Sequence, residues 1–176
     1  MKRHLLPFAL SLSIFCVGCI SGMAYRVPTD AMKPTITRQD MCVMNPLAYR
    51  TNEIERFDIV AFEMPETEKQ RVNATGSVRH IKRIVGLSGE KIEIRDNRLL
   101  INDVIIDEPF EKIVGEKDRK RNYGPVSIPF GEYFLLGDNR PESMDSRYFE
   151  PSTIKKADIY SKVVEIKKDY YPKSTD

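Results

Sequence analysis

The sequence predicts an all-β domain preceded by one N-terminal transmembrane helix, and three observations carry that prediction. The first is a run without charged side chains at residues 5–25. The second is the chain after Arg26, where short β-branched and aromatic runs alternate with turn-forming residues. The third is that apolar positions in this part rarely keep helical spacing for more than about ten residues. The chain has 176 residues in all, a length that suits one such domain.

The uncharged run predicts a retained membrane anchor at residues 1–25. A helix over residues 5–25, rising about 1.5 Å per residue, is long enough to span a bilayer core. Lys2 and Arg3 precede the run, so the positive-inside rule predicts a single-pass protein of the cell membrane with a cytoplasmic N-terminus. The domain at residues 26–170 is then extracytoplasmic, and residues 171–176 form a tail.

Two other interpretations of the N-terminal segment stay open. Small residues at 22–24 fit the end of a cleaved signal peptide, and residues 16–19 loosely fit a lipoprotein signal. All three interpretations export the rest of the chain. Cys16 and Cys19 lie in the apolar run and are interpreted as small apolar residues. Cys42 is the remaining cysteine, so no disulfide framework is expected.

The first predicted strands lie at residues 57–62 and 78–85, which are rich in β-branched and aromatic residues. The polar link between them, residues 65–76, contains Pro and Gly and is predicted to be a surface loop.

A hairpin follows. Strands at residues 91–95 and 98–101 flank Asp96-Asn97, and two turn-forming residues between alternating runs are typical of a tight hairpin. Asn102-Asp103 repeats the pattern before residues 104–106.

The last third of the chain begins with an irregular, charged stretch at residues 107–129. Acidic residues interrupt its basic cluster at 117–121, which favours a solvated loop over a binding patch. Strands are predicted to resume at 132–136 and 158–166, and residues 167–176 are expected to fray.

Charge and composition exclude several classes of function. The formal net charge is +2, and this excess equals Lys2 plus Arg3, so the rest of the chain is balanced and predicts no nucleic-acid partner. No Cys, His and acidic residues have metal-ligand spacing, so no metal site is expected. His80 is interpreted as an ordinary strand residue.

Three blocks carry unusual residue types for strands and loops: residues 27–36, 80–86 and 137–148. Lys82 shares a strand face with His80 and Ile84, where a lysine either extends its amine to water or is buried and loses its proton. The strand alone favours an amine in water. The third block alternates acids with arginines, a pattern that can hold a loop through charge-assisted pairs.

In this order, behind an anchor, the blocks resemble the bacterial signal peptidase I family of Ser/Lys endopeptidases, peptidase S26. Residues 27–36 are similar to the family's Ser-Met-x-Pro-Thr box, and residues 56–60 to its Arg-Gly-Asp-Ile-Val strand, with Phe57 where Gly is usual. The resemblance implies a coiled antiparallel sheet core with a smaller β insertion around residues 92–129. It also implies cleavage of signal peptides from exported preproteins at the membrane's outer face, without a cofactor.

The resemblance also assigns roles. Lys82 is the general base, Ser143 orients its amine, and Thr29 is an oxyanion donor together with the amide of residue 31. The supporting positions are Asp138, Arg140, Asp145 and Arg147, with Asp145 and Arg147 matching a structural ion pair. Exported preproteins and membrane lipid are the implied partners.

The chain departs from the family at the nucleophile, where Ala31 replaces serine. Alanine has no group that attacks a carbonyl, so the chain is predicted to be catalytically silent. Thr29 lies roughly 6.6 Å away along an extended segment and does not reach the same carbonyl. Three explanations stay open: an engineered Ser-to-Ala change, a naturally non-catalytic peptide-binding homologue, and a shifted nucleophile. A peptidase dedicated to a pilin or conjugation protein is a further alternative.

Overall fold

A computed structural model describes residues 23–110, 112–115 and 117–172 as a mostly β protein. The strands are β1 Met23–Arg26, β2 Met41–Asn45, β3 Ile59–Glu63, β4 Arg79–Gly86, β5 Lys91–Arg95, β6 Arg98–Ile101, β7 Val104–Ile106, β8 Tyr123–Ser127, β9 Glu132–Leu136, β10 Ile154–Lys155 and β11 Ile159–Lys167. Two short helices, α1 Ala48–Thr51 and α2 Glu66–Arg71, join them.

The strands form two antiparallel sheets. The larger is a curled sheet of seven strands in the order β1-β2-β11-β3-β4-β9-β10, and register shifts in β11 and β4 help to bend it. The smaller sheet has the order β7-β6-β5-β8 and corresponds to the expected insertion around residues 92–129. The prediction was an all-β domain with a coiled antiparallel sheet core and a smaller β insertion. The structure confirms it as a mostly β fold with a curled antiparallel sheet and a small second sheet.

The hairpin turns form as their residue types predict. Asp96 and Asn97 have φ of 47° and 63°, and Asn102 and Asp103 have φ of 49° and 69°. Asn and Asp tolerate this left-handed conformation, which two-residue hairpin turns require at both central positions. The register of β5 with β6 and of β6 with β7 follows from these turns.

Strand β4 lies where the apolar clusters of the molecule meet. Ile84 packs into the cluster with Phe62, while Ile81 and Val85 each belong to a separate cluster. Residues 81–86 are consequently buried on both faces of the strand. The expectation that Lys82 extends its amine to water is therefore wrong, because the residue is almost completely buried.

The N-terminal segment and the polar link differ from expectation in part. Residues 1–22, which contain most of the predicted anchor, lie outside the described residues, and the last residues of the uncharged run belong to β1, where Tyr25 pairs with Cys42. Within the described ranges, no helix is long and apolar enough to cross a membrane. The link predicted as a loop contains α2, which begins after Pro65 and has acidic residues in its first turn and basic residues in its last.

The described part of the C-terminal tail is ordered against the turn at residues 35–40, contrary to the expected fraying. Lys168 Nζ donates to the Thr35 carbonyl at 2.6 Å and to the Asp40 carboxylate at 3.0 Å. The amide of Tyr171 donates to the Gln39 carbonyl at 2.8 Å. The buried Asp40 carboxylate explains the difference, because it needs hydrogen-bond donors that the tail supplies.

Candidate active site

The turn that carries Ala31 is anchored by apolar side chains. Met32 and Ile36 are fully buried in one core cluster, and the Ile36 amide donates to the Met32 carbonyl at 2.8 Å. The Lys33 amide donates to the Asp30 carbonyl at 3.1 Å. This packing fixes the backbone of Ala31 against the sheet. Within the described residues, the Ala31 N–H donates to no other group.

The loop at residues 137–148 packs directly on this turn. The Asn139 amide donates to the Ala31 carbonyl at 3.1 Å, and the Asn139 side chain donates to the Asp30 carbonyl at 3.1 Å. A Cβ at Gly137 would lie 2.2 Å from Ser143 Oγ and 2.4 Å from the Ala31 carbonyl oxygen. Only glycine fits at this position, so the close approach of the first and third blocks depends on Gly137.

The Lys82 side chain reaches this region from β4 and is 3% exposed. Burial lowers the pKa of its amine to about 8, although the charges of Asp145 and Asp138 oppose the shift. Desolvation dominates because the interior solvates an ammonium ion poorly. A substantial fraction of Lys82 is therefore neutral at mildly alkaline pH, which is the form that a general base needs.

Ser143 is buried in the loop at residues 137–148, and its Oγ has no hydrogen-bond partner among the described residues. The Lys82 amine donates instead to the carbonyl of Ile81 at 3.0 Å. The resemblance assigns Ser143 to orient the Lys82 amine, but this structure contains no hydrogen bond between the two. Both groups retain unused hydrogen-bonding capacity.

A cavity of about 90 Å³ brings Ala31, Lys82 and Thr29 together. Its remaining lining residues are His80, Glu142 and Met144. Sequence reasoning missed these three as parts of the site. Alternation along β4 places His80 on the Lys82 face and was the available signal, whereas nothing local to Glu142 and Met144 indicates where their loop packs.

His80 is partly buried beside Lys82, and its pKa is lowered to about 4, first by desolvation and then by the charge of Lys82. Its ring lies 5.9 Å from that of Phe62 and 6.4 Å from that of Phe149, measured between centroids. His80 is therefore neutral at neutral pH. It therefore contributes an uncharged wall to the cavity.

A second cavity of about 230 Å³ adjoins the first and shares Thr29, His80 and Lys82 with it. It runs between residues 25–29 and residues 78–82. In the described part of the chain, the first half of β4 pairs with β3 on one side, and β9 pairs with β4 only from Arg83 onward. The other edge of this half-strand is open and faces the cavity, so it can accept an extended peptide.

Ion pairs hold the loop at residues 137–148 in place. Arg147 contacts Asp145 at 2.9 Å and binds both carboxylate oxygens of Asp118, at 3.0 and 2.9 Å. Asp118 comes from the cluster at 117–121 that was predicted to be a solvated loop, yet it is 2% exposed. That prediction is wrong at Asp118, because pairing with a buried arginine draws its carboxylate out of solvent.

Asp138 and Arg140 also support the loop, but each with a separate partner. The Asp138 carboxylate accepts hydrogen bonds from Arg83 at 2.9 and 2.6 Å, and Arg140 pairs with Glu108. Four carboxylates face four cations in this group of pairs, whose members are Glu108, Asp118, Asp138, Asp145, Arg83, Lys112, Arg140 and Arg147. The charges balance without Lys82, so its amine is free to be neutral.

Known proteins are similar to this chain over most of its length. The family model described as "Signal peptidase, peptidase S26" matches residues 2–167. Signal peptidase I V of Bacillus subtilis is 34% identical over 137 residues, which cover 72% of this chain and 76% of that protein. Signal peptidase IB of Staphylococcus aureus is 29% identical over 168 residues, which cover 85% of this chain and 83% of that protein.

A solved structure is similar as well. The crystal structure of a signal peptidase I from Enterococcus faecalis V583 superimposes with a TM-score of 0.50 at 31% sequence identity. The superposition covers 65% of this chain and 98% of that chain.

Proposed function

The chain belongs to the signal peptidase I family of serine endopeptidases, peptidase S26, and on that premise we propose that it binds signal peptides of exported preproteins without cleaving them. The observation that carries the proposal is the cavity in which Ala31 meets Lys82 and Thr29. The residues to which the resemblance assigns the general base and the side-chain oxyanion donor line this cavity, and alanine stands at the position of the nucleophile.

Peptide binding is supported by the open edge of β4. An extended segment lying between residues 25–29 and 78–82 can pair its backbone with this edge, which provides affinity without reading sequence. Partly buried Val78 and buried Val27 border the same cavity, so its walls are partly apolar. Its modest volume of about 230 Å³ suits the small residues that precede a signal-peptide cleavage site.

The chemistry is supported by the environment of Lys82. In a serine version of the site, the neutral Lys82 amine would take the proton of the attacking hydroxyl. The Thr29 hydroxyl and the free N–H of residue 31 would stabilise the developing oxyanion. The Ala31 methyl group supplies no proton and no nucleophile. In another serine protease, removing the serine lowers kcat by about 10⁶-fold, with residual catalysis from the remaining groups.

The location follows from the N-terminal run. We place the peptidase-like domain outside the membrane, behind a single span that we infer from the uncharged run preceding β1. A domain anchored in this way lies at the outer face of the membrane, where it can meet exported preproteins.

The test compares the chain with its Ala31→Ser variant, both in detergent or lipid with a preprotein substrate. We expect only the serine variant to release the mature protein, with a rate that rises as pH passes through about 8 because the neutral Lys82 amine is required. The double variant Ala31→Ser, Lys82→Ala is the matched control and should not cut. Cutting by the unaltered chain would refute the assigned nucleophile, and cutting by the double variant would refute the assigned base.

Ala31 itself favours a second candidate, a naturally non-catalytic anchored homologue that binds peptides. The result that would favour this candidate is that neither the chain nor its Ala31→Ser variant cleaves the preprotein although both bind a signal peptide. The chain would then be a peptide-binding homologue and not a peptidase silenced by Ala31. A peptidase dedicated to one pilin or conjugation protein is separated by offering the serine variant several preproteins, because broad cleavage would exclude it.

A further inference from the structure

The Lys82 amine has no serine hydroxyl to deprotonate in this site, because residue 31 is alanine. No serine hydroxyl at residue 31 offers a proton to the amine or occupies its lone pair. Within the described residues, the hydrogen bond that the amine makes runs to the Ile81 carbonyl, where it is the donor. The lone pair of the neutral amine is therefore unengaged, and Lys82 lines the cavity beside Ala31.

We propose that Lys82 is a covalent capture site for small uncharged aldehydes, which its amine binds as an imine in the cavity beside Ala31. The site exists because residue 31 carries a methyl group where a hydroxyl would compete for the same carbonyl. This reactivity is separate from peptide binding and cleavage.

The size of the cavity sets the class of aldehyde. About 90 Å³ corresponds to roughly three water molecules at about 30 Å³ each, which suits an aldehyde of two or three carbons. The adjoining cavity of about 230 Å³ shares Lys82 and provides a path from solvent. The wall includes Met144 and the neutral ring of His80. An uncharged ligand suits this cavity because removing it from water costs much less free energy than removing a charged ligand.

Reactivity depends on the fraction of neutral amine. A pKa of about 8 leaves roughly 300 times more neutral amine at pH 7 than the ordinary lysine value of 10.5. The ionisable groups near the amine are Asp138 and Asp145, which favour its charged form, together with His80 and Glu142 on the cavity wall. Burial lowers the pKa of Lys82 more than the two aspartates raise it, so a larger fraction of Lys82 than of an exposed lysine is neutral and able to attack an aldehyde.

The reaction balances without an oxidant or reductant. The Nζ lone pair attacks the carbonyl carbon, a C–N bond forms, and the carbonyl π electrons move to oxygen. Transfer of a proton from nitrogen to oxygen gives the carbinolamine, and loss of water gives the imine. The Thr29 hydroxyl lines the same cavity and is placed to donate a hydrogen bond to the developing oxyanion.

Residue 31 determines whether the amine or a hydroxyl reacts. In an Ala31→Ser variant, the serine hydroxyl would donate a hydrogen bond to the Lys82 lone pair and would itself capture the aldehyde as a hemiacetal. A hemiacetal contains no C–N bond and is not reduced by cyanoborohydride. This variant is therefore a matched control that leaves Lys82 in place.

The experiment treats the full chain in detergent with acetaldehyde and cyanoborohydride near pH 7, and maps the ethylated lysines by peptide mass spectrometry at short times. We expect Lys82 to react at least about tenfold faster than the chain's other lysines, since part of the roughly 300-fold advantage in neutral amine is lost to restricted access. Ala31→Ser should slow labelling of Lys82 by about tenfold. A bulky aromatic aldehyde should show no preference for Lys82.

Labelling of Lys82 no faster than that of exposed lysines would overturn the proposal, as would equal labelling in the Ala31→Ser variant. The comparison of Lys82 with the other lysines is made in the unaltered chain, so it does not depend on whether a variant folds. Near-ultraviolet circular dichroism checks the fold of the serine variant. The outcome is independent of the proposed function. Suppose that Lys82 is labelled fast but the Ala31→Ser variant does not cleave a preprotein. That pair of results would refute the silenced-peptidase interpretation and support the aldehyde-capture site.

Discussion

At the scale of single residues, the environment of Lys82 has an energetic consequence as well as a chemical one. An amine whose pKa falls from 10.5 to about 8 on folding loses part of its affinity for a proton in the native state. Below pH 8 the folded protein carries this amine charged at a desolvated site, whereas the unfolded chain carries it charged in water. Lys82 therefore destabilises the fold, a common property of functional groups.

We predict that Lys82→Met stabilises the domain at pH 7. The pKa shift corresponds to about 3 kcal/mol at low pH, and methionine fills a similar volume without a charge. A gain of roughly 1–3 kcal/mol in the free energy of unfolding is expected from urea titration, because methionine packs imperfectly in the lysine site.

The dependence of this gain on pH tests its cause. The unfolded chain binds the extra proton between pH 8 and 10.5, so the stability of the unaltered protein rises with pH across that window. The gain from methionine should shrink over the same range. A constant gain at all pH values would show that packing rather than desolvation is responsible.

At the scale of elements, the arrangement of the site depends on loops that are held by buried charges. The loop at residues 137–148 contributes Asp145 and Arg147, and the segment around Asp118 closes over them. The tail at residues 168–171 holds the turn at residues 35–40 in a similar manner. Although burial alone raises the pKa of Asp40, hydrogen bonds from the Thr37 amide, Lys168 and the Asp169 amide lower it overall.

We predict that Asp118→Asn destabilises the domain by roughly 2–4 kcal/mol in chemical denaturation. The change removes one of the two carboxylates from a buried guanidinium, and Arg147 cannot move to water in compensation. The control is Asp103→Asn, which breaks an exposed pair with Lys91 and should alter stability by less than about 1 kcal/mol. Equal effects of the two changes would mean that Asp118 contributes no more than a surface charge.

At the scale of the whole molecule, the two sheets share one apolar cluster. Phe134 and Leu136 of the large sheet pack with Ile92, Ile94 and Leu99 of the small sheet. The small sheet is therefore coupled to the strands that carry the site.

We predict that Phe134→Ala costs about 3–5 kcal/mol and lowers the stability of both sheets together, since it opens a cavity in their shared core. Phe130 is the matched control, because its ring is 91% exposed and Phe130→Ala should change stability little. Hydrogen exchange measures each sheet separately. Loss of protection in the small sheet alone would show that the sheets unfold independently.

Sequence reasoning succeeded where the signal was local. The limits of β5, β6 and β9 were predicted as they occur, because alternation and the Asp-Asn turns act over a few neighbouring residues. It failed at α2, where the local helical pattern is weak. It also failed at the ordered tail, which is held by the Asp40 carboxylate far away in the chain. For the site, the residue types pointed to the three blocks, but His80, Glu142 and Met144 could not be placed in the cavity without the packing of the loop.

The sequence by itself determined the strand pattern, the hairpin turns and the absence of a serine at residue 31, because these are properties of the residues and their immediate neighbours. Only the tertiary structure decided the burial of Lys82 and the pairing of Arg83 with Asp138, 55 residues away, and of Arg147 with Asp118, 29 residues away. The physical reason is that desolvation and ion pairing depend on which groups surround an atom in space. Segments far apart in the chain supply those groups.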